Sequence, residues 1–290
     1  MIHRQESKPR IHFACVVGGG EVGILPHTIE HYRALGIESF YLMGHAESVN
    51  DPQFEELQDY IRTAGLQLFH SYVGPWHEEL NQRFIHYAMR QHPNDWYVVT
   101  DLDELQVYEQ PLPDLIELCE RDGFDHVNGC VLDRVANGGV FSPLASGSIW
   151  KQYPLAGSIT AAVLRALPLK TGLVRGNLDL LTGLHGVRGG NPLPSERGTF
   201  QSHHFKWTGS VLSRLRKRIE LCESGEWPIA HPYIALEAKR FLSYVDHNNG
   251  RIDITDKRLH FHEAGSEYHS YPYWAAIQEE SQGWAWALTY

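Results

Sequence analysis

Cysteine is scarce in this sequence of 290 residues, and long apolar runs are absent. The four cysteines are far apart and form no CxxC pair, so they predict buried reduced thiols, as in a cytoplasmic protein. They are Cys15, Cys119, Cys130 and Cys222. No stretch approaches the roughly 20 apolar residues of a membrane helix, and the polar first residues do not resemble a secretory signal. We therefore expect no transmembrane segment and a cytoplasmic location.

Positive charge is also in short supply. The chain has 25 Lys and Arg against 35 Asp and Glu, a formal net charge of −10, which argues against a nucleic-acid binder. An anionic small ligand is still compatible with this charge, because a bound metal can reverse it locally. With 42% hydrophobic and 21% charged residues the composition is that of a folded globular protein. The 18 histidines could be metal ligands, proton carriers or surface residues.

Several well-known catalytic and nucleotide-binding motifs are missing. There is no GxxxxGK[ST] loop and no GxSxG elbow, which excludes ATPases of the first type and hydrolases of the second. Gly18-Gly19-Gly20 follows the first apolar run, but its spacing is not GxGxxG and no acidic residue closes the second strand. The sequence therefore does not predict a nicotinamide enzyme.

Short apolar runs alternate with amphipathic helices through the first half of the chain. Strands are predicted at residues 11–17, 40–42, 66–69, 96–100 and 124–135. Such a series predicts an α/β fold with a doubly wound, mostly parallel sheet, which binds ligands beyond the carboxyl ends of its strands. The loops expected at that edge are 18–24, 44–52, 71–77 and 101–110. The second half predicts shorter strands and loops, then two helices and an aromatic tail.

The acidic segment Asp101-Leu102-Asp103-Glu104 follows the apolar run 96–100. Residues i and i+2 of an extended chain face the same way, so two carboxylates would lie together at the ligand edge. Hard divalent ions such as Mg²⁺ or Mn²⁺ prefer oxygen ligands of this kind. The alternative is that these residues merely cap a turn. The position in the sheet favours a metal site.

A second cluster is His203-His204-Phe205-Lys206-Trp207. Adjacent residues of a strand point to opposite faces, so at most one of the two histidines joins a given metal, and an imidazole ligand suits Mn²⁺ better than Mg²⁺. Lys206 or the following arginines could meet a diphosphate. The basic run 214–218 is expected to be mainly a solvated helix face.

Two further residues are candidates for a general base. Asp133 lies beside Arg134 at the end of a predicted strand, and His185 lies next to Gly186. Either side chain could act as a general base. The pair Asp133-Arg134 could equally be a structural salt bridge.

Several short sequence blocks follow one another along the chain, and their order is part of the pattern. They are Glu21 in the first loop, Leu35-Gly36-Ile37, Asp101-Leu102-Asp103-Glu104, His126-Val127-Asn128-Gly129, Leu132-Asp133-Arg134-Val135, Leu184-His185-Gly186, and His203-His204-Phe205-Lys206-Trp207 with Arg214-Leu215. Together they resemble the family-2-like glycosyltransferases of the GT-A fold, in particular a bacterial subgroup with DxDE and HHFKW blocks. The resemblance spans about residues 11–218 and does not extend to the tail.

The resemblance implies a metal-dependent enzyme that moves a sugar from a nucleoside-diphosphate sugar, expected to be a UDP-sugar, to an acceptor nucleophile with inversion. The cofactor would be Mn²⁺ or Mg²⁺. Metal ligands would be Asp101, Asp103 and His204, with Asp101 reaching a metal-bound water or the ribose. Nucleotide-sugar contacts would come from Val17, Glu21, His45, Asp51, Asp101 and Lys206. Asp133 and His185 would be the first and second candidates for the catalytic base.

The resemblance also implies a domain organisation. Residues 1–222 would form the GT-A domain, with a nucleotide-binding half to about residue 135 and a mixed α+β acceptor half to about residue 222. Residues 223–290 would form a helical, aromatic extension that could pack on the body or join two copies of the chain. The acceptor, a saccharide, peptide or small molecule, would contact the acceptor half.

Two other functions compete with this prediction. A sugar-phosphate nucleotidylyltransferase uses a related sheet, but its first loop is normally basic, and residues 18–24 contain no Lys or Arg. A non-catalytic carbohydrate-binding protein on a degenerate transferase fold is the other alternative, and the intact pair Asp101 and Asp103 speaks against it.

Overall fold

The amino-terminal half is a layer of parallel strands with helices on both faces. The computed structural model describes residues 10–77, 79–229, 231–271 and 273–274. Its first elements are β1 (Ile11–Gly18), α1 (Leu25–Ala34), β2 (Ser39–Ala46), α2 (Pro52–Thr63), β3 (Leu68–Val73), α3 (Leu80–Met89) and β4 (Trp96–Val99). Strand β1 lies between β2 and β4, and β2 pairs with β3, all in parallel. The four predicted strands are therefore confirmed in this half.

Alternation along β1 divides the core between the two faces of the sheet. Phe13 and Cys15 pack with α1 and α2, whereas Ala14 packs with α3. Helix α2 shows how local contacts mark the two ends of a helix. Asp51 accepts hydrogen bonds from the backbone amides of Gln53 and Phe54 at the start of α2, and Gly65 with φ of 72° follows its end. The sheet is doubly wound, as predicted.

The second half adds shorter strands. They are β5 (Glu104–Tyr108), β6 (His126–Val135), β7 (Leu155–Gly157), β8 (Leu169–Arg175), β9 (Asp179–Leu180), β10 (Val187–Arg188), β11 (Phe200–His204) and β12 (His262–Glu263), with helices α4 (Leu112–Asp122) and α5 (Ile149–Gln152). Strands β9 and β10 form a separate pair. The main sheet has the order β12-β7-β6-β8-β4-β1-β2-β3, and β11 joins β5 to β6.

Strand directions confirm a mostly parallel sheet with a mixed second half. Seven of the ten described strands of the main sheet run one way (β1–β4, β6, β11, β12) and three the other (β5, β7, β8). One local prediction was wrong: residues 104–108, expected in a loop, form β5 with all five residues buried. Its antiparallel pairing with β11 brings the acidic segment beside the second histidine of the HHFKW block.

Two helices follow the sheet, α6 (Val211–Ser224) and α7 (Tyr233–His247). They pack on each other and on Trp207 through Leu215 and Phe241. The predicted division after residue 222 falls within α6, and the division of the chain into domains stays a prediction. In the tail, the Tyr271 hydroxyl lies 2.7 Å from Ser158 Oγ on the body. Trp284 and Trp286 lie outside the described residues.

All four cysteines are free thiols, and three of them are buried. Among the described helices, none is both long and apolar enough to cross a membrane.

Candidate functional site

Asp103 and His204 meet at the predicted ligand edge. Strand β4 ends at Val99, so the acidic segment leaves the sheet at the carboxyl end of a central strand. Strand β11 places His204 opposite Glu104 on one side and opposite Asp133 on the other. His204 Nε2 lies 3.6 Å from Asp103 Oδ1, and its Nδ1 lies 3.4 Å from Asp133 Oδ1. One imidazole therefore stands between two carboxylates that are distant in sequence.

The charges of this group are strongly coupled. Burial alone would lower the pKa of His204, but Asp103 and Asp133 outweigh it and raise this pKa to about 9. Burial alone would raise the pKa of Asp103, but the positive charges of His204, Arg214 and Lys206 hold this pKa well below its usual range. Without a metal ion, His204 is therefore an imidazolium and Asp103 a carboxylate at neutral pH.

Asp133 is fully buried and surrounded by donors. Its Oδ2 accepts a hydrogen bond from the Thr160 amide (2.6 Å), and its Oδ1 accepts bonds from Thr160 Oγ1 (2.9 Å) and Trp207 Nε1 (2.8 Å). These three hydrogen bonds hold the Asp133 side chain in place beside His204. The choice of Asp133 as the first candidate for the base stays a prediction.

Asp101 faces a different partner. Its Oδ2 accepts a hydrogen bond from Lys170 Nζ at 2.8 Å and its Oδ1 accepts one from Asn81 Nδ2 at 3.0 Å. Lys170 also lies 3.0 Å from Glu104 Oε1. Burial alone would lower the pKa of Lys170, but Asp101 and Glu104 raise it above its usual value, so the ammonium stays charged. Sequence analysis did not single out Lys170, because 69 residues separate it from Asp101.

His185 lies on a strained loop near this ammonium. Its Nδ1 is 2.6 Å from the Leu169 carbonyl, so Nδ1 carries the proton and Nε2 a lone pair. Burial and the nearby charge of Lys170 lower the pKa of His185 to about 4. Leu184 has φ of 60°, a left-handed conformation uncommon for leucine, and such strain is frequent at functional sites. His185 is therefore a neutral imidazole with a free acceptor nitrogen.

A cavity of about 200 Å³ adjoins Asp103. Glu21, Arg214 and Phe205 contribute to its walls. Glu21 accepts a hydrogen bond from the Gly18 amide at 3.0 Å, and burial with the neighbouring charge of Asp103 raises its pKa to about 7. Arg214 Nε is buried, and within the described part of the chain it has no hydrogen-bond partner. Arg214 was expected on a solvated helix face and instead lines this cavity.

The other expected nucleotide contacts are spread along the same edge. Val17 is buried in the core, so only its backbone could reach a ligand. A ring nitrogen of His45 lies 3.0 Å from the Gly74 carbonyl, and its ring stacks on Tyr72. The Asp51 carboxylate is already used as the cap of α2. The structure therefore does not bring these three side chains to the cavity beside Asp103.

The last expected nucleotide contact is Lys206, whose positive charge acts on Asp103. Its Nζ is 5.4 Å from the centre of the Trp207 ring, a cation–π distance. Burial lowers the pKa of Lys206, and the positive charge of Arg218 lowers it further. The Lys206 carbonyl accepts a hydrogen bond from Arg214 Nη2 at 3.2 Å, which ties these two cationic residues together.

Asp103 and His204 offer a carboxylate oxygen and an imidazole nitrogen at one edge of the sheet. Asp103 Oδ1 and His204 Nε2 lie 3.6 Å apart, slightly farther than the roughly 3.0–3.5 Å between two ligand atoms each about 2.1 Å from one ion, so both side chains would draw closer on an ion. Carboxylate oxygen with imidazole nitrogen also suits Mn²⁺. Asp101 is turned to Lys170 and does not complete this set. Within the described residues, no three His, Cys, Asp or Glu side chains converge as a metal site.

No family model matches the sequence, and no curated protein sequence matches it significantly. Some solved structures resemble the fold. A mannosyltransferase from Pyrobaculum calidifontis, solved with GDP-Man and Mn²⁺, is 12% identical over 82% of this chain and 70% of its own, with a TM-score of 0.41. TarS from S. aureus, solved with UDP-GlcNAc, is 10% identical over 86% and 77%, with a TM-score of 0.35.

A third similar structure belongs to another class of enzyme. It is named as a glucose-1-phosphate thymidylyltransferase from Bacillus anthracis and is 12% identical over 49% of this chain, with a TM-score of 0.29. The match spans 62% of that chain, less than two thirds of its length. Since identities and TM-scores are low throughout, a functional proposal has to rest on the residues of the site.

Proposed function

We propose that this protein is a metal-dependent glycosyltransferase that moves a sugar from a nucleoside-diphosphate sugar, a UDP-sugar in the first instance, to an acceptor nucleophile with inversion. One observation carries the proposal. Asp103 and His204 lie 3.6 Å apart at the carboxyl edge of the sheet, beside a cavity that also contains Glu21 and Arg214. A carboxylate, an imidazole and an arginine are the groups that a metal and a diphosphate together require.

Asp103 and His204 would hold the ion, Mn²⁺ or Mg²⁺. When bound, such an ion neutralises the negative charge that develops on a leaving diphosphate. Arg214 and Lys206 are the nearest cationic side chains of the chain itself, and we assign them to the diphosphate oxygens. Asp101, held by Asn81 and Lys170, is assigned to the ribose or to a metal-bound water.

The nucleoside would lie along the ends of β1 and β2. Glu21 and the backbone of Val17 border its expected position from β1. His45, at the end of β2, contributes a ring that stacks on Tyr72. The Asp51 carboxylate would first have to leave the amides of α2, so we assign it a secondary role.

His185 is the group that we assign as proton acceptor. In an inverting transfer, the acceptor oxygen forms a bond to the anomeric carbon while the bond to the diphosphate breaks and its electron pair leaves with the phosphate. The acceptor proton passes to a base, and the free Nε2 of His185 can receive it because Nδ1 is held by Leu169. Asp133 would then orient His204.

Binding of UDP provides the first test. With Mn²⁺ present, we expect UDP at about 100 times its dissociation constant to raise the melting temperature by roughly 5 °C. Asp103→Ala should abolish this shift, and Asp59→Ala, at an aspartate that is 71% exposed on α2, should retain it. If neither UDP nor GDP stabilises the protein and Asp103→Ala changes nothing, the donor site is wrong.

A screen of nucleotide-sugars for slow metal-dependent hydrolysis would identify the donor. Release of UDP from one sugar nucleotide, lost in Asp103→Ala, supports a transferase. Stabilisation by nucleoside triphosphates alone would instead indicate a nucleotidylyltransferase, and UDP binding without hydrolysis or transfer a non-catalytic carbohydrate-binding protein. The free buried thiols support our proposal of a cytoplasmic location. Light scattering would test self-association through the tail.

A further inference from the structure

Lys170 is a buried ammonium whose three protons are all used. Its side chain is 8% exposed. Nζ lies 2.8 Å from Asp101 Oδ2, 3.0 Å from Glu104 Oε1 and 3.2 Å from the Gly183 carbonyl. An ammonium has three donors and no acceptor, so these three contacts satisfy it completely. Two of the acceptors belong to the acidic segment and the third to the loop that precedes His185, so the ammonium joins these two parts of the site.

The first consequence concerns Asp101. Lys170 and Asn81 each donate a hydrogen bond to one oxygen of its carboxylate. Residues 101–104 form a turn, in which the Glu104 amide donates a hydrogen bond to the Asp101 carbonyl at 3.1 Å, so strand alternation does not set the directions of Asp101 and Asp103. The ammonium thus supplies a partner that competes with any metal for this carboxylate.

The second consequence concerns the loop that carries His185. Lys170 binds the carbonyl of Gly183, and the preceding residue, Leu169, binds the ring of His185. Gly183 with φ of 75° takes a conformation that glycine tolerates, but Leu184 with φ of 60° takes one that leucine does not favour. Two consecutive residues of β8 therefore hold this loop against the acidic segment.

We infer that Lys170 is a positioning residue: it keeps Asp101 out of the ligand set of the metal and holds the His185 loop beside it. The inference rests on the proposed function only in that Asp103 and His204 are taken as metal ligands. It assigns no contact with substrate to Lys170. It explains why the acidic segment carries Glu104, whose second oxygen accepts a hydrogen bond from Ser202 Oγ at 3.0 Å.

The test compares Glu104→Gln with the double variant Lys170→Met/Glu104→Gln, using Mn²⁺ alone. Removal of Lys170 by itself would leave the buried Glu104 carboxylate, which is 3% exposed, without its cation and could unfold the protein, so Glu104 is neutralised in both proteins. In the double variant Asp101 is free to join the metal. We therefore expect its Mn²⁺ dissociation constant to fall by about tenfold. Adding Asp101→Asn should reverse this gain, whereas general damage to the fold would weaken binding.

Hydrogen exchange measures the second part of the inference. Amides of residues 181–186 should exchange at least about tenfold faster in the double variant than in Glu104→Gln. Lys151→Met, the same substitution at an exposed lysine of α5, should change neither quantity. Mn²⁺ binding that is equal, weaker or absent in the double variant, or unchanged exchange in the loop, overturns the inference. Neither measurement contains a nucleotide, so failure of the proposed donor site would appear separately.

Discussion

Single residues of the site are defined by the hydrogen-bond capacity of their side chains. The two oxygens of Asp133 accept hydrogen bonds from Thr160 and from Trp207. His204 Nδ1 lies 3.4 Å away. Only a carboxylate can meet donors from all of these directions. The site therefore depends on a buried side chain whose oxygens are held by donors from two separate segments.

Asp133→Asn keeps the shape of this side chain and exchanges an acceptor for a donor. The new amide would face either the Thr160 amide or the donors on the other oxygen, leaving one buried group unsatisfied. We expect a loss of about 1–3 kcal/mol in the free energy of unfolding, measured by urea denaturation. Asp59→Asn on the surface should change stability by less than about 0.5 kcal/mol. Equal stability of Asp133→Asn and wild type would show that Asp133 is not a charged anchor.

The sequence points to single residues of the site only where they belong to a recognisable local pattern. Asp103 was singled out because it follows a short apolar strand, and His204 because it belongs to the HHFKW block. Lys170 was not singled out, since its partners are remote in sequence and a cation in a strand usually faces solvent. The side chain of Asp133 was predicted to lie at the site, but its burial depends on contacts with Thr160 and Trp207 that only the fold brings together.

Among the elements, β6 and β11 connect the site to the carboxyl-terminal segment. The two strands are parallel neighbours, with His204 opposite Asp133. The adjacent residues point to the other side, where Arg134 Nη1 lies 3.4 Å from His203 Nδ1. Arg134 is fully buried and donates hydrogen bonds to the carbonyls of Tyr153 (2.9 Å) and Ala264 (2.7 Å). One pair of strands therefore orients the site and anchors the tail.

Arg134→Met should loosen the carboxyl-terminal segment without removing apolar volume. The carbonyls that Arg134 binds would lose their donor, and the cation–π contact with Trp150 at 5.2 Å would be lost. We expect a loss of about 2–4 kcal/mol in the free energy of unfolding and faster proteolysis within residues 260–271.

Arg62→Met provides the control, because the Arg62 side chain is 75% exposed and pairs with Asp59 on the surface of α2. It should change neither stability nor proteolysis appreciably. An unchanged proteolysis pattern in Arg134→Met would mean that the tail is held by other contacts, such as that of Tyr271 with Ser158.

Elements were predictable where hydrophobic periodicity is strong. The alternation of strands and helices through residue 99 follows from apolar runs and helical spacing, and both carboxyl-terminal helices follow from theirs. Strand β5 was missed because its buried positions include Glu104 and Gln106. Their polar groups are satisfied by Lys170 and by the Val99 carbonyl, partners that only the folded sheet provides. Polar residues in a buried strand interrupt the apolar run from which the strand would otherwise be predicted.

Across the whole molecule, many histidines are buried without an adequate acidic partner. Eight described histidines have pKa values lowered chiefly by burial: His12, His27, His31, His86, His185, His203, His262 and His269. His204 differs from these eight in having a raised pKa. Burial thus favours the neutral form of these eight of the 18 histidines, and their protonation opposes folding.

The stability of the metal-free protein should therefore fall on acidification from pH 6.5. A lowered histidine contributes its full share of stability above the unfolded pKa of 6.5 and loses it as the pH falls towards the folded pKa, about 4 for His185. His204 acts in the opposite direction, because its share is present below pH 6.5 and is lost as the pH rises to about 9. Glu21, Glu104 and Glu237 have raised pKa values and therefore oppose the loss of stability on acidification. These carboxyls number three, against eight histidines with lowered pKa values.

We expect urea denaturation midpoints to be highest near pH 6.5–7, to fall steeply by pH 5 and to fall more gently by pH 9. His262 and His269 test the assignment directly, since their Nε2 atoms are 2.7 Å apart and cannot both carry a proton there. His262→Gln/His269→Gln should reduce the difference between the midpoints at pH 7 and pH 5, while His247→Gln on the surface should not. A midpoint that is constant or rises between pH 7 and pH 5 would contradict burial as the cause, because neutral packing of eight histidines requires the unfolded chain to bind more protons.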